Sequence, residues 1–172
     1  MGPVSSSAVR LIGLLLTIGV SSGSVVLAQL RMTDKGPTFQ SVQQIASIVG
    51  SDSDAAVVVS QAIAGLLEPK GTRTVTVFES QVLASWLPVV PGVEFVRMGD
   101  AEVKSHYAGC GRYLWLSVNR TNDRLEVTVG EGNKCGGAGQ GMPFKRTPAG
   151  WVRDFSGLGS GFAGGGSHCE CR

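Results

Sequence analysis

The sequence is poor in charge. Asp, Glu, Lys and Arg make up 16% of its 172 residues, against about a quarter in ordinary soluble domains. The formal net charge is only +2, and no basic run exists. A nucleic-acid partner requires a stripe of positive charge to neutralise phosphates, so the sequence argues against nucleic acid as a partner. Strings of the H-E-x-x-H and S-x-x-K types are missing, which removes two common hydrolytic designs. No internal repeat is present, so a solenoid or propeller is also excluded.

Charge is missing in a second, local sense. Nothing between Arg10 and Arg31 is charged. Residues 1–10 are short and polar and end in Arg10. An apolar stretch, Leu11 to Val20, follows, then Ser21-Ser-Gly-Ser24 and Val26-Leu27-Ala28 before Gln29. A positive start, an apolar centre and a small residue before the cut are the order of a secretory signal, so residues 1–28 are expected to be a cleaved signal peptide. The expected location is therefore secreted or periplasmic. The uncharged span is also long enough to cross a bilayer, so the alternative is an anchor formed by residues 11–30 with the domain exported. The membrane enters only through that segment. No cysteine stands near the cut to carry a bacterial lipid.

What the sequence has in quantity is glycine, 25 residues in clusters separated by apolar segments. That spacing suits one ordered domain, and the length allows one. Residues 29–37 read as a linker closed by Gly36-Pro37, residues 38–156 as a single domain, and residues 157–172 as a glycine-rich tail.

The pattern within the domain predicts helices first and a sheet last. Thr38 is placed to cap a helix in which Phe39, Val42, Ile45, Ala46 and Val49 share a face, with Gly50 at its end. Ser51 and Asp52 begin a second helix, whose apolar face is Ala55, Val59, Ala62, Ile63, Leu66 and Leu67. Strands are expected at 72–78 and 93–98, with a short helix from Ser80 to Leu87 between them. Another helix runs from Gly99 to Tyr107. Tyr113 to Val118 and Arg124 to Val129 alternate as a hairpin, and residues 144–146 and 151–155 form a second around Thr147-Pro-Ala-Gly150. Gly130 to Gly141, with six glycines, reads as a loop. The fold class is α+β: N-terminal helices packed on one face of a small antiparallel sheet ending in two hairpins.

Four places carry candidate chemistry. Glu102 and His106 stand four apart on a predicted helix, the spacing that sets a carboxylate beside an imidazole; this is the candidate catalytic pair, and its bland reading is a solvated helix pair. Tyr113 and Trp115 share a strand face, either as a ligand platform or, as expected, in packing. Gly159 to Gly164 matches G-x-G-x-x-G but lacks the flanking strand, helix and later acid of a dinucleotide site. Asn119-Arg-Thr121 is a glycosylation sequon.

The cysteines are the fourth. Cys110, Cys135, Cys169 and Cys171 are even in number, and an exported chain meets an oxidising compartment, so structural disulfides are expected. Three full pairings exist. A hairpin between Cys110 and Cys135 favours their bridge, closing a loop of about 25 residues worth roughly 3 kcal/mol. His168, Cys169 and Cys171 are the candidate metal ligands, but the tail is expected to be oxidised and to hold no metal. No cofactor is expected. The functional expectation is a non-enzymatic binding or envelope-accessory module for an unknown protein or small-molecule ligand. Its alternatives are a small enzyme using Glu102 and His106, or a metal or redox protein using the tail.

Overall fold

The computed structural model describes residues 32–33, 36–37, 39–67, 71–156, 161–165 and 171. The expected signal, Thr38, His168 and Cys169 lie outside the described residues. Among the described residues no helix is long and apolar enough to cross a membrane.

Two short strands, β1 (Met32–Thr33) and β2 (Gly36–Pro37), pair antiparallel ahead of the first helix. Helix α1 spans Val42–Val49 and is capped by Ser41 rather than starting before Phe39. The Ser41 hydroxyl accepts from the Gln44 N–H, and the Gln44 side chain accepts from the Ser41 N–H. This reciprocal box fixes the start of the helix. Phe39 is left outside the helix, where it joins the aromatic rings around Tyr113. Gly50 closes α1 at φ +120°, as its position suggests.

Helix α2, Asp52–Leu66, begins at Ser51, whose hydroxyl accepts from the Asp54 N–H. The Val57-Val58-Val59 run does not prevent the helix, because Val58 and Val59 bury completely on its inner face. Packing outweighs the small β-branched penalty.

Strands β3 (Arg73–Phe78) and β4 (Val93–Met98) form where expected but pair parallel, Arg73 opposite Val93 through Phe78 opposite Met98. The connection between them is long enough for such a crossover. It contains only a single 3-10 turn, Ala84–Trp86, in place of the helix expected from Ser80 to Leu87. The Gln81 and Val82 N–H groups both donate to the Phe78 carbonyl. That tight turn drives Gln81, Val82 and Trp86 into the core, and Pro88 then prevents the turn from propagating.

Helix α3, Asp100–Ala108, precedes the main sheet. That sheet is antiparallel in the order β5 (Tyr113–Thr121), β6 (Arg124–Asn133), β7 (Gly136–Thr147), β8 (Gly150–Arg153). A last strand, β9 (Gly161–Gly165), pairs with the first half of β7. The chain is therefore α+β, with α1 and α2 ahead of the sheet. They bury Ile45, Val49, Val58, Val59 and Ile63 against Leu116, Val118, Val127, Met142 and Phe144. Trp151 on β8 is pinned into this layer by donating its indole N–H to the Val49 carbonyl. Arg120 donates to the Ile48 carbonyl, so two of the carbonyls orphaned at the end of α1 are satisfied from the sheet.

The glycine-rich segment 130–141 is strand, not loop; only Lys134 and Cys135 form a turn. Glycine reads as a breaker in sequence, but here it is required by closeness. A β-carbon on Gly130 would stand 2.6 Å from the Trp115 ring, and one on Gly132 would stand 2.9 Å from the α-carbon of Gly137, its cross-strand partner. Gly161–Gly165, expected within a tail, is likewise ladder-bonded to β7. That pairing gives no support to a phosphate-binding reading of the G-x-G-x-x-G string.

Candidate functional site

Tyr113 and Trp115 face away from the α1–α2 layer and pack with Phe78. Val103 and Tyr107 of α3, with Phe39 and Met98, complete this second cluster. Ring centroids lie 5.0 Å apart for Phe78 and Tyr113, 5.3 Å for Phe39 and Phe78, and 5.7 Å for Phe39 and Tyr113. Both strand residues are buried, so they pack rather than offer a platform. Burial, with the neighbouring Tyr107 as a lesser cause, pushes the Tyr113 phenol up to about 12.

Glu102 and His106 both lie on α3 but do not meet. The Glu102 carboxylate accepts from the Gly99 N–H at 3.1 Å, capping the helix at its own start. His106 turns the other way, with Nε2 2.8 Å from the Arg112 carbonyl oxygen. Its ring lies over Gly111, where any β-carbon would collide with it. The spacing is right, but each side chain is claimed by the backbone at its own end of the helix. The structure thus places both residues as fasteners and brings no third group to them among the described residues.

His106 fastens the segment that carries Cys110, which has a left-handed φ of +62°. Cys110 is joined to Cys171, with α-carbons 5.5 Å apart. The bridge expected between Cys110 and Cys135 is therefore not the one formed. Cys135 is itself disulfide-bonded, and its Sγ lies 2.7 Å from that of Cys171. The hairpin does bring the Cys110 and Cys135 loops together. However, continuing β6 and β7 through the glycines turns Cys135 at a hairpin tip, beside Cys171. The Asn133 side chain ties the two loops, donating to the Cys110 carbonyl at 3.4 Å and accepting from the Cys135 N–H at 2.9 Å. Lys134 Nζ donates to the Ala108 carbonyl at 3.1 Å, at the negative end of α3. The Sγ atoms of Cys110, Cys135 and Cys171 all lie within 4.8 Å of one another.

The structure also holds a groove of about 400 Å³, which sequence reasoning did not find. Arg73, Arg112, Glu131, Gln140 and the backbones of Gly139 and Gly161 line it. Arg73 and Glu131 form an ion pair at 2.9 Å across it. The Arg112 guanidinium has no hydrogen-bond partner among the described residues. Arg73 and Glu131 are 58 positions apart, so no local pattern could reveal the pair. Neither Glu102 nor His106 lines this groove. Asn119 is exposed on β5. Asp154, after β8, accepts from the Ser156 hydroxyl at 2.6 Å and N–H at 3.1 Å. Those bonds, with Lys145 and Arg124 nearby, hold its carboxyl below the usual range.

The fold and this groove define a disulfide-linked α+β domain with a polar ligand-sized recess. No protein-family model matches the chain, and neither curated proteins nor solved structures gave a match.

Proposed function

We propose that the chain is an exported, disulfide-braced binding module of non-enzymatic type, and that its ligand face is the Arg73–Arg112 groove. The observation carrying this reading is the wall of that groove. One arginine is neutralised by Glu131, while Arg112 stands exposed beside it, unengaged among the described residues. An open guanidinium suits a carboxylate, which it can take in two parallel hydrogen bonds. The Cys110–Cys171 bond supports an oxidising compartment, in line with the signal-like order of residues 1–28.

Two measurements test this reading. The intact mass of exported protein should begin at or near Gln29; a membrane-embedded species retaining Met1 overturns cleavage and favours the anchor at residues 11–30. Titration of the oxidised protein with succinate, a dicarboxylate probe, should shift the amide resonances of Arg112, Gly139 and Gln140. Arg112→Ala should abolish those shifts. Shifts that persist in that variant, or none in the native chain, overturn the groove assignment.

A further inference from the structure

We propose that the reduced chain holds one thiophilic divalent cation, zinc by preference, through the thiolates of Cys110, Cys135 and Cys171. The sequence grouped Cys169 and Cys171 with His168; the fold instead brings Cys171 to two cysteines from other elements. A tetrahedral zinc–thiolate centre with bonds of about 2.3 Å sets its sulfurs about 3.8 Å apart. Three Sγ atoms within 4.8 Å of one another are near enough to share one such ion.

Two of the three loops stay in place without a disulfide. Asn133 bridges the backbones of Cys110 and Cys135, and Lys134 fastens the hairpin tip to the end of α3. His106 holds the segment after Cys110 through the Arg112 carbonyl. Reduction breaks none of these bonds. Two thiolates are thus positioned before the ion arrives, which lowers the ordering cost that the metal must exceed. Cys171 is exposed and provides the open side by which the ion enters. Water or a further side chain completes the coordination.

Reduction and metal binding balance in electrons and protons. A dithiol reductant transfers two electrons and two protons to the Cys110–Cys171 bond and closes to its own cyclic disulfide. A second equivalent does the same at the bond of Cys135. Of the four thiols so formed, those of Cys110, Cys135 and Cys171 each release one proton as the cation binds, and the fourth keeps its own. In the oxidised chain Cys110, Cys135 and Cys171 offer no thiolate, so metal binding at these three and their disulfides exclude one another.

The test uses the full chain, reduced with a dithiol, desalted without oxygen and titrated with cadmium as the probe ion. Thiolate-to-cadmium absorbance should rise to an endpoint at one ion per chain, and the oxidised chain should show none. Bound cadmium should shield Cys110, Cys135 and Cys171 from iodoacetamide, read by peptide mass. Cys135→Ser should lose the stoichiometric endpoint. Absence of an endpoint, equal alkylation with and without cadmium, or an unchanged endpoint in Cys135→Ser each overturns the proposal. Should reduction unfold the chain, cadmium is expected to restore its far-ultraviolet spectrum, and failure to do so overturns it equally.

Discussion

The carboxamide of Gln40 takes both backbone hydrogen bonds of Val118. Its Nε2 donates to the Val118 carbonyl at 2.9 Å, and its Oε1 accepts from the Val118 N–H at 2.6 Å. Val118 lies on β5, the outer strand of the antiparallel sheet, on the edge that β6 does not use. Gln81, fully buried, does part of the same work two residues earlier by donating to the Leu116 carbonyl at 2.7 Å. Side-chain amides thus stand where a neighbouring strand would be, and this part of the open edge of β5 is met without one.

Removing this substitute leaves a partly buried donor and acceptor unmet. Gln40→Ala is expected to destabilise the domain by about 1–3 kcal/mol, measured by urea unfolding. Gln40→Glu should also be destabilising, because its carboxylate keeps the acceptor for the Val118 N–H but sets its other oxygen against the Val118 carbonyl. Equal stability of Gln40→Ala and the native chain would show that water replaces the amide fully.

Non-reducing peptide mapping should recover Cys110 linked to Cys171. That bond spans 61 positions, so its loss should remove about 4 kcal/mol in the chain-entropy picture. Recovery of a Cys110–Cys135 peptide would contradict the connectivity.

His106→Ala should act on structure, not on a chemical step. It removes the bond to the Arg112 carbonyl and the ring that covers Gly111, at a cost of about 1 kcal/mol. Amide exchange should quicken from residue 109 to residue 112 while the rest of the sheet is unaffected. Glu102→Gln should be milder, since its amide oxygen still accepts from Gly99.

The chain has two tyrosines, and one of them should ionise only near 12. Burial raises the Tyr113 phenol above its ordinary value of about 10. The neutral ring therefore contributes stability that is complete below about pH 10 and is lost as pH rises through about 12. Phenolate absorbance should show a late step that merges with alkaline unfolding. A Tyr113→Phe variant should lack that step.

Asp154 moves in the opposite sense. Its carboxyl is held low chiefly by the Ser156 hydroxyl, then by the Ser156 N–H. The charged form is the stabilised one, so its contribution is present above the ordinary carboxylate range and disappears as pH falls through the lowered value. In Ser156→Ala the Asp154 carboxyl should titrate at higher pH, read by side-chain carbon shifts. An unchanged titration would assign the effect to the Ser156 N–H, Lys145 and Arg124 instead.

Local pattern in this sequence reached as far as local physics does. The Ser51 cap, the Gly50 stop, the burial of Ala55, Val59, Ala62 and Ile63, and the Leu125–Val127–Val129 alternation depend on neighbours within a few positions. The helix and strand periods express them directly. The α+β class followed from their order. Glycine misled at residues 130–141 because its two uses, breaking a strand and permitting close approach, look alike in one dimension. Trp115 over Gly130, and Gly132 against Gly137, distinguish them.

Sequence order could not decide which cysteine meets Cys110, whether Glu102 meets His106, or that β3 and β4 run parallel. Each depends on where distant backbone ends arrive. Glu102 and His106 had the correct spacing, but the free N–H of Gly99 and the carbonyl of Arg112 competed for them and were nearer. Cys135 had a favourable loop to Cys110, yet the ladder of β9 on β7 precedes the Cys171 that takes its place. Arg73 and Glu131 became partners only once the sheets were laid side by side. Composition and period set the elements; the groove and the sulfur cluster exist because tertiary packing chose, among several locally acceptable partners, those the backbone brought within reach.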